Sequence, residues 1–243
     1  MTTARTDDWL GSLARGRVDL GRSSTAERVA RLLRARVLEG DLAPGLRLSE
    51  EAIGGALSVS RNTLREAFRL LTQDRLLVHE YSRGVFVRIP TEQDVKDLYQ
   101  ARRIIECGAL RAWPTAADAA RAAVRAAVDE GRQAAEQQRW VQLGTANMRF
   151  HEAVAGLAGS ERVNEAVDRL LAELRLVFHV MGDPRRFHER YLPWNEEILG
   201  LLTSGAVDRA ERAMAEYLNA AEEQIVTAYR DGRVVVAYGA GQP

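Results

Sequence analysis

The stretch from Ser24 to Val87 constrains this chain most, because its hydrophobic period changes from helical to alternating within about 65 residues. Ser24-Thr25-Ala26-Glu27 has the form of a capping box, and Val29, Leu32, Leu33 and Val37 follow at helical spacing. Gly40 stops that helix, and Ala43-Pro44-Gly45 reads as a turn. Ser49 caps a short second helix through Ile53 and Leu57, and Ser60 caps a third running to about Asp74. Two β-rich runs, Leu76 to Glu80 and Val85 to Val87, flank Tyr81-Ser82-Arg83-Gly84 and predict a hairpin. Three helices and a hairpin predict a winged helix-turn-helix over residues 23–90, preceded by a tail over 1–22. In that tail Trp9, Leu10 and Leu13 form a candidate docking point.

The third helix has two faces. Leu64, Ala67, Phe68 and Leu71 share one side at i, i+3, i+4 and i+7. Arg61, Arg65 and Arg69 line another, with Asn62 beside them. An arginine stripe is usually a solvated face. Opposite a buried face on a helix of this size, it also suits the major groove, where Arg bonds guanine and Asn bonds adenine through paired hydrogen bonds. The first turn of a recognition helix faces the bases, which favours Ser60, Arg61, Asn62, Thr63 and Arg65 over Arg69. Arg83-Gly84 at the hairpin tip would reach a phosphate or the minor groove. Charge agrees: residues 1–90 hold 15 Arg against 11 Asp and Glu, while residues 91–243 hold 19 basic against 23 acidic residues. The whole chain is neutral, so only this division is informative.

Leu46-Arg47-Leu48-Ser49-Glu50, after Pro44-Gly45, and Leu57 to Ala67 resemble the GntR family of bacterial repressors. So do Leu70-Leu71 and the wing Arg83 to Val87. The resemblance implies that Ser60, Arg61, Arg65 and Gly84 contact operator DNA. Asn62-Thr63 stands where Thr-Pro is common, and Glu51 where an Arg is frequent, so base preferences are expected to differ from the commonest half-site.

Residues 91–231 predict about six helices and no strand, with breaks at Pro114, Gly144, Gly156 to Gly159, Gly182-Asp183-Pro184, Pro193 and Ser204-Gly205. A tail over 232–243 contains Val234-Val235-Val236. The fold class is mainly α, a winged helix-turn-helix followed by an all-α helical bundle. Polar residues interrupt the apolar stripes of that bundle: Arg102, Asn147 with His151, Arg175, Asn195 and Tyr217. Buried polar groups must find partners, so five helices aiming such groups inward point to a shared polar pocket. For any one of them, a satisfied core residue is the simpler explanation. Arg102 needs an anion, which is either Glu106 one turn on or a carboxylate ligand.

Arg102-Arg103-Ile104-Ile105-Glu106, Phe150-His151 and the helix order are similar to the FadR-like subgroup, with its FCD-type effector domain. That resemblance implies a divalent metal held by an acid, a His four residues on and two later His. The matching positions are Asn147, His151, Asn195 and Tyr217, so only His151 is retained, and no metal or other cofactor is expected. His151 would bond a ligand or Asn195 instead. The implied partners are a palindromic operator duplex, an acidic small-molecule effector and a second copy of the chain.

Cys107 is the single cysteine, which excludes an intrachain disulfide and a thiolate zinc site. No leader-like or membrane-spanning apolar run is present, and a cytoplasmic location is expected. The leading expectation is an effector-controlled transcription regulator, not an enzyme. One rival is a constitutive DNA-binding regulator with a filled core. The other is a helical enzyme using His151, Glu106 and Tyr217, which lacks a nucleophile motif or phosphate loop.

Overall fold

The protein was analysed as a computed structural model, which describes residues 24–39, 41–180 and 189–231. The N-terminal tail, the stop at Gly40, the break at Gly182-Asp183-Pro184 and the C-terminal tail lie outside the described residues. Contacts divide the chain into two units. The first holds the described residues up to Pro90 together with Arg175–Val180, and the second holds residues 91–174 and 189–231.

In the first unit, α1 (Thr25–Glu39), α2 (Glu50–Leu57) and α3 (Arg61–Gln73) precede the strands β2 (Leu77–Glu80) and β3 (Gly84–Val87). The expected capping box opens α1: Ser24 Oγ accepts the Glu27 N–H at 3.1 Å, and Glu27 accepts the Ser24 N–H at 2.7 Å. Ser49 caps α2 by accepting the Ala52 N–H at 3.1 Å. Both α1 and α2 pack on α3, whose Leu64, Ala67, Phe68 and Leu71 are buried. A strand absent from the sequence reading, β1 (Arg47–Leu48), joins the hairpin to give an antiparallel sheet in the order β1-β3-β2. Its register pairs Arg47 with Phe86 and Leu48 with Val85.

The second unit holds α4 (Glu92–Leu110), α5 (Asp118–Glu136), α6 (Trp140–Gly156) and α7 (Glu161–Val180, less Arg175–Val180). A 3-10 turn (Glu189–Tyr191), α8 (Leu192–Thr203) and α9 (Val207–Arg230) complete it. Thr91 and Asp94 form a reciprocal capping box at the start of α4. Helix α4 lies along α9 and α6, α5 along α6, and α8 touches α5, α6 and α9. Gly144 does not break a helix as expected. It is a buried residue within α6, where packing outweighs the roughly 1 kcal/mol propensity cost of glycine. No helix among the described residues is long and apolar enough to cross a membrane.

Candidate functional site

The first candidate surface is built on α3. Ser60 Oγ caps the helix by accepting the Thr63 N–H at 3.1 Å, and it lies 2.8 Å from Thr63 Oγ1. Burial of the apolar face leaves Arg61, Asn62 and Arg65 exposed on the opposite side. Arg65 Nε donates to Glu50 at 3.1 Å, and Arg69 donates to Glu66 at 2.6 Å. Arg83 donates to Glu80 at 2.5 Å, and its guanidinium lies 5.5 Å from the Phe86 ring centre. Exposed pairs of this kind contribute at most about 1 kcal/mol, so competing phosphates or bases can displace them. Ser60, Arg61, Asn62, Thr63 and Arg65 therefore share the first turns of one helix, and Arg83 and Gly84 sit at the wing tip.

The second candidate site is a buried chain of hydrogen bonds in the helical unit. Arg102 Nε donates to Glu106 Oε1 at 2.6 Å within α4. Glu106 Oε2 lies 2.6 Å from Nδ1 of His151 on α6, whose Nε2 lies 2.8 Å from the Tyr217 hydroxyl on α9. That hydroxyl also bonds Asn147 Oδ1 at 3.0 Å, and Asn195 Nδ2 on α8 donates to the same oxygen at 2.8 Å. All six side chains are at most 5% exposed. Aromatic rings enclose them: Tyr99 lies 5.0 Å from the Arg102 guanidinium, and Tyr191 stacks on Tyr217 at 4.9 Å. Two buried polar atoms of this cluster have no partner among the described residues, Arg102 Nη2 and Asn195 Oδ1.

Charge in the cluster follows from these contacts. Burial opposes ionisation of Glu106, but Arg102 and then His151 outweigh it and hold the carboxyl below its ordinary range. Burial also disfavours a charged imidazole, and Arg102 adds repulsion, so His151 is held below the ordinary histidine value despite the pull of Glu106. Burial pushes the Tyr217 hydroxyl well above its usual range.

Five of the six sequence-selected pocket residues come together, namely Arg102, Asn147, His151, Asn195 and Tyr217. Arg175 does not. It lies on α7 in the segment grouped with the first unit, and no described hydrogen bond joins it to the network. The alternative partner for Arg102 is the one observed, because Glu106 sits one helical turn away. Of the two partners expected for His151, a ligand or Asn195, the second is not found: Glu106 and Tyr217 lie against the two His151 nitrogens, and Asn195 bonds Asn147. Glu106 as the bridge between α4 and α6, and the rings of Tyr99 and Tyr191, were not foreseen. The Arg-x-x-x-Glu spacing signalled one half of the bridge, while the His151 half spans 45 residues and leaves no local pattern.

The FadR-like metal set does not fit this arrangement. Two neutral amides and an un-ionised phenol are poor ligands for a divalent transition metal, and both His151 nitrogens are already engaged.

Residues 97–220 match the FCD domain, and residues 25–87 match the gntR family of bacterial regulatory proteins. A GntR transcriptional regulator structure from Rhodococcus sp. RHA1 is 43% identical and superposes with a TM-score of 0.79, covering 86% of this chain and 100% of that one. An uncharacterized HTH-type regulator from an unstable DNA locus of Streptomyces ambofaciens is 31% identical over 79% of this chain and 81% of its own length. The HTH-type transcriptional repressor RspR of Escherichia coli K12 is 25% identical over 82% of this chain and 88% of its own. These relatives are all named transcription regulators. The winged reading head and the helical FCD domain together place this chain in the GntR family of DNA-binding transcriptional regulators.

Proposed function

We propose that the chain is an operator-binding repressor whose helical unit binds a small organic acid that alters DNA affinity. It acts as a homodimer on a palindromic site, since a two-fold protein matches a two-fold operator. Arg61, Asn62 and Arg65 read base edges, Ser60 and Thr63 set the first turn, and Arg83-Gly84 flanks it. The similarity to a relative named a repressor supports the direction of control.

The observation that carries the effector reading is the pair of loose ends in the buried network, Arg102 Nη2 and Asn195 Oδ1. Leaving a buried polar atom unpaired costs about 1–3 kcal/mol. A ligand with an anionic oxygen for Arg102 and a donor for Asn195 recovers that cost. His151, Tyr217 and Asn147 hold these ends in place, and Leu98, Phe150 and Val154 supply buried apolar surface nearby. A mid-sized acid with an apolar body suits these groups better than a small dicarboxylate. One observation favours the rival reading, a constitutive regulator with a filled core: Arg102, Glu106 and His151 pair in series, and Asn195 pairs with Asn147.

Thermal melting of the protein against a panel of carboxylic acids separates the two. An effector at one hundred times its Kd adds about 2.7 kcal/mol of stability and raises the melting temperature of the wild type. Arg102→Lys keeps a cation for Glu106 but loses the guanidinium edge, and is expected to lose most of that rise. A panel in which no acid raises the melting temperature favours the filled core.

A further inference from the structure

We propose that Arg47 is the DNA-backbone contact of the wing, a role that the resemblance implies only for Gly84 at the tip. The inference rests on the reading that α3 and the wing face the operator.

Arg47 opens the edge strand β1 and pairs with Phe86 of β3, which in turn pairs with Val78 of β2. Paired residues and those two apart share a face of a sheet. Arg47, Phe86, Gly84, Val78 and Glu80 therefore lie on the outer face, while Leu48, Val85, Val87 and Leu77 are buried. Gly84 adopts a φ of +112°, and a Cβ built there would lie 3.4 Å from Arg47 Nε and 3.7 Å from its Nη2. The Arg47 guanidinium thus lies beside the wing tip, within contact distance of position 84.

Three further features single it out. Arg47 is exposed and has no ion pair among the described residues. Arg83, at the wing tip, already has an exposed carboxylate partner in Glu80 and lies over Phe86. Glu50, three residues after Arg47, bonds Arg65 on the exposed face of α3. Arg47 therefore lies three residues from a group that touches the recognition helix, and its guanidinium reaches Gly84 of the wing. A guanidinium with no ion pair among the described residues suits a phosphate, whose oxygens match its planar fork. Such contacts position the protein on the duplex without reading sequence.

The test is fluorescence anisotropy with a labelled duplex selected from a random-sequence pool by the wild-type chain, repeated across a salt series. Arg47→Ala is expected to weaken binding about fivefold and to lower the slope of log affinity against log salt by about 0.9, the value for one phosphate. Arg47→Lys is expected to keep the slope. Arg83→Ala is expected to change it less, because Glu80 already offsets that charge. Arg47 is exposed, so an unchanged melting curve for Arg47→Ala shows that the fold is intact. Unchanged affinity and slope for Arg47→Ala, with binding weakened by Arg61→Ala, overturns the role of Arg47 alone. If Arg61→Ala is silent as well, the DNA-facing surface itself is wrongly placed, and this inference falls with it.

Discussion

Glu106 is completely buried, yet it stays charged because Arg102 and His151 both meet it at 2.6 Å. Removing its charge strands a guanidinium in the core. Breaking a buried pair from one side costs about 3–5 kcal/mol, and Glu106→Gln is expected to lose stability of that order in denaturant unfolding. The pH dependence has a definite sign. His151 and Glu106 are both held below their ordinary values of 6.5 and 4.5, so each binds fewer protons folded than unfolded. Stability therefore falls as pH falls. The first loss begins near pH 6.5, where the unfolded chain's histidine takes its proton, and the Glu106 contribution is lost below about pH 4.5. Melting temperatures from pH 7.5 to 5.5 are expected to drop in the wild type by more than in His151→Gln. An equal drop in both contradicts a His151 held below its ordinary value. The same residues bear on metal: untagged protein is expected to contain well under one equivalent of zinc or nickel by elemental analysis. Stoichiometric metal that resists EDTA contradicts the hydrogen-bonded network.

At the scale of elements, short-range chemistry decides where helices begin, and it is the part that the sequence displays. Ser24, Ser49 and Ser60 announce α1, α2 and α3 because a hydroxyl and an N–H three residues later suffice to form the cap. Ser49→Ala is expected to cost about 1 kcal/mol, measured as a shift in the unfolding midpoint. Strand β1 is not legible, since its two residues become a strand only through β3, nearly forty residues on. The buried network was legible as five polar interruptions of apolar stripes. Its wiring was not, because Asn147 to Asn195 and Glu106 to His151 are contacts between helices. Arg175 shows the limit of stripe reading: it interrupts an apolar face like the others, yet its segment is grouped with the other unit. On α3, Arg61→Ala and Arg65→Ala are each expected to cost about 1–3 kcal/mol of operator affinity and to relax base preference. Arg65 has to leave Glu50 to do this, so Glu50→Gln is expected to strengthen binding slightly. Unchanged affinity in both arginine variants contradicts α3 as the reading helix.

For the whole molecule, the two units divide the work. The first carries the exposed arginines of α3 and the wing, and the second carries the buried network with its two loose ends. A regulator needs those sites coupled: the acid must bind the DNA-competent and DNA-incompetent states with different affinity, and only that difference shifts the population. A residue that anchors the acid should then alter the ligand response and leave ligand-free DNA binding alone. The decisive measurement is a paired titration of a selected operator duplex, with and without an acid that raises the melting temperature, on wild type, Arg102→Ala and Arg102→Lys. In the wild type the acid should change the DNA Kd. In both variants the acid concentration needed should rise by about one to two decades, the loss of a charged hydrogen bond, while the ligand-free Kd stays near that of wild type. An undiminished response in folded Arg102→Lys would mean that Arg102 serves only to hold Glu106, and that the helical unit takes its effector elsewhere.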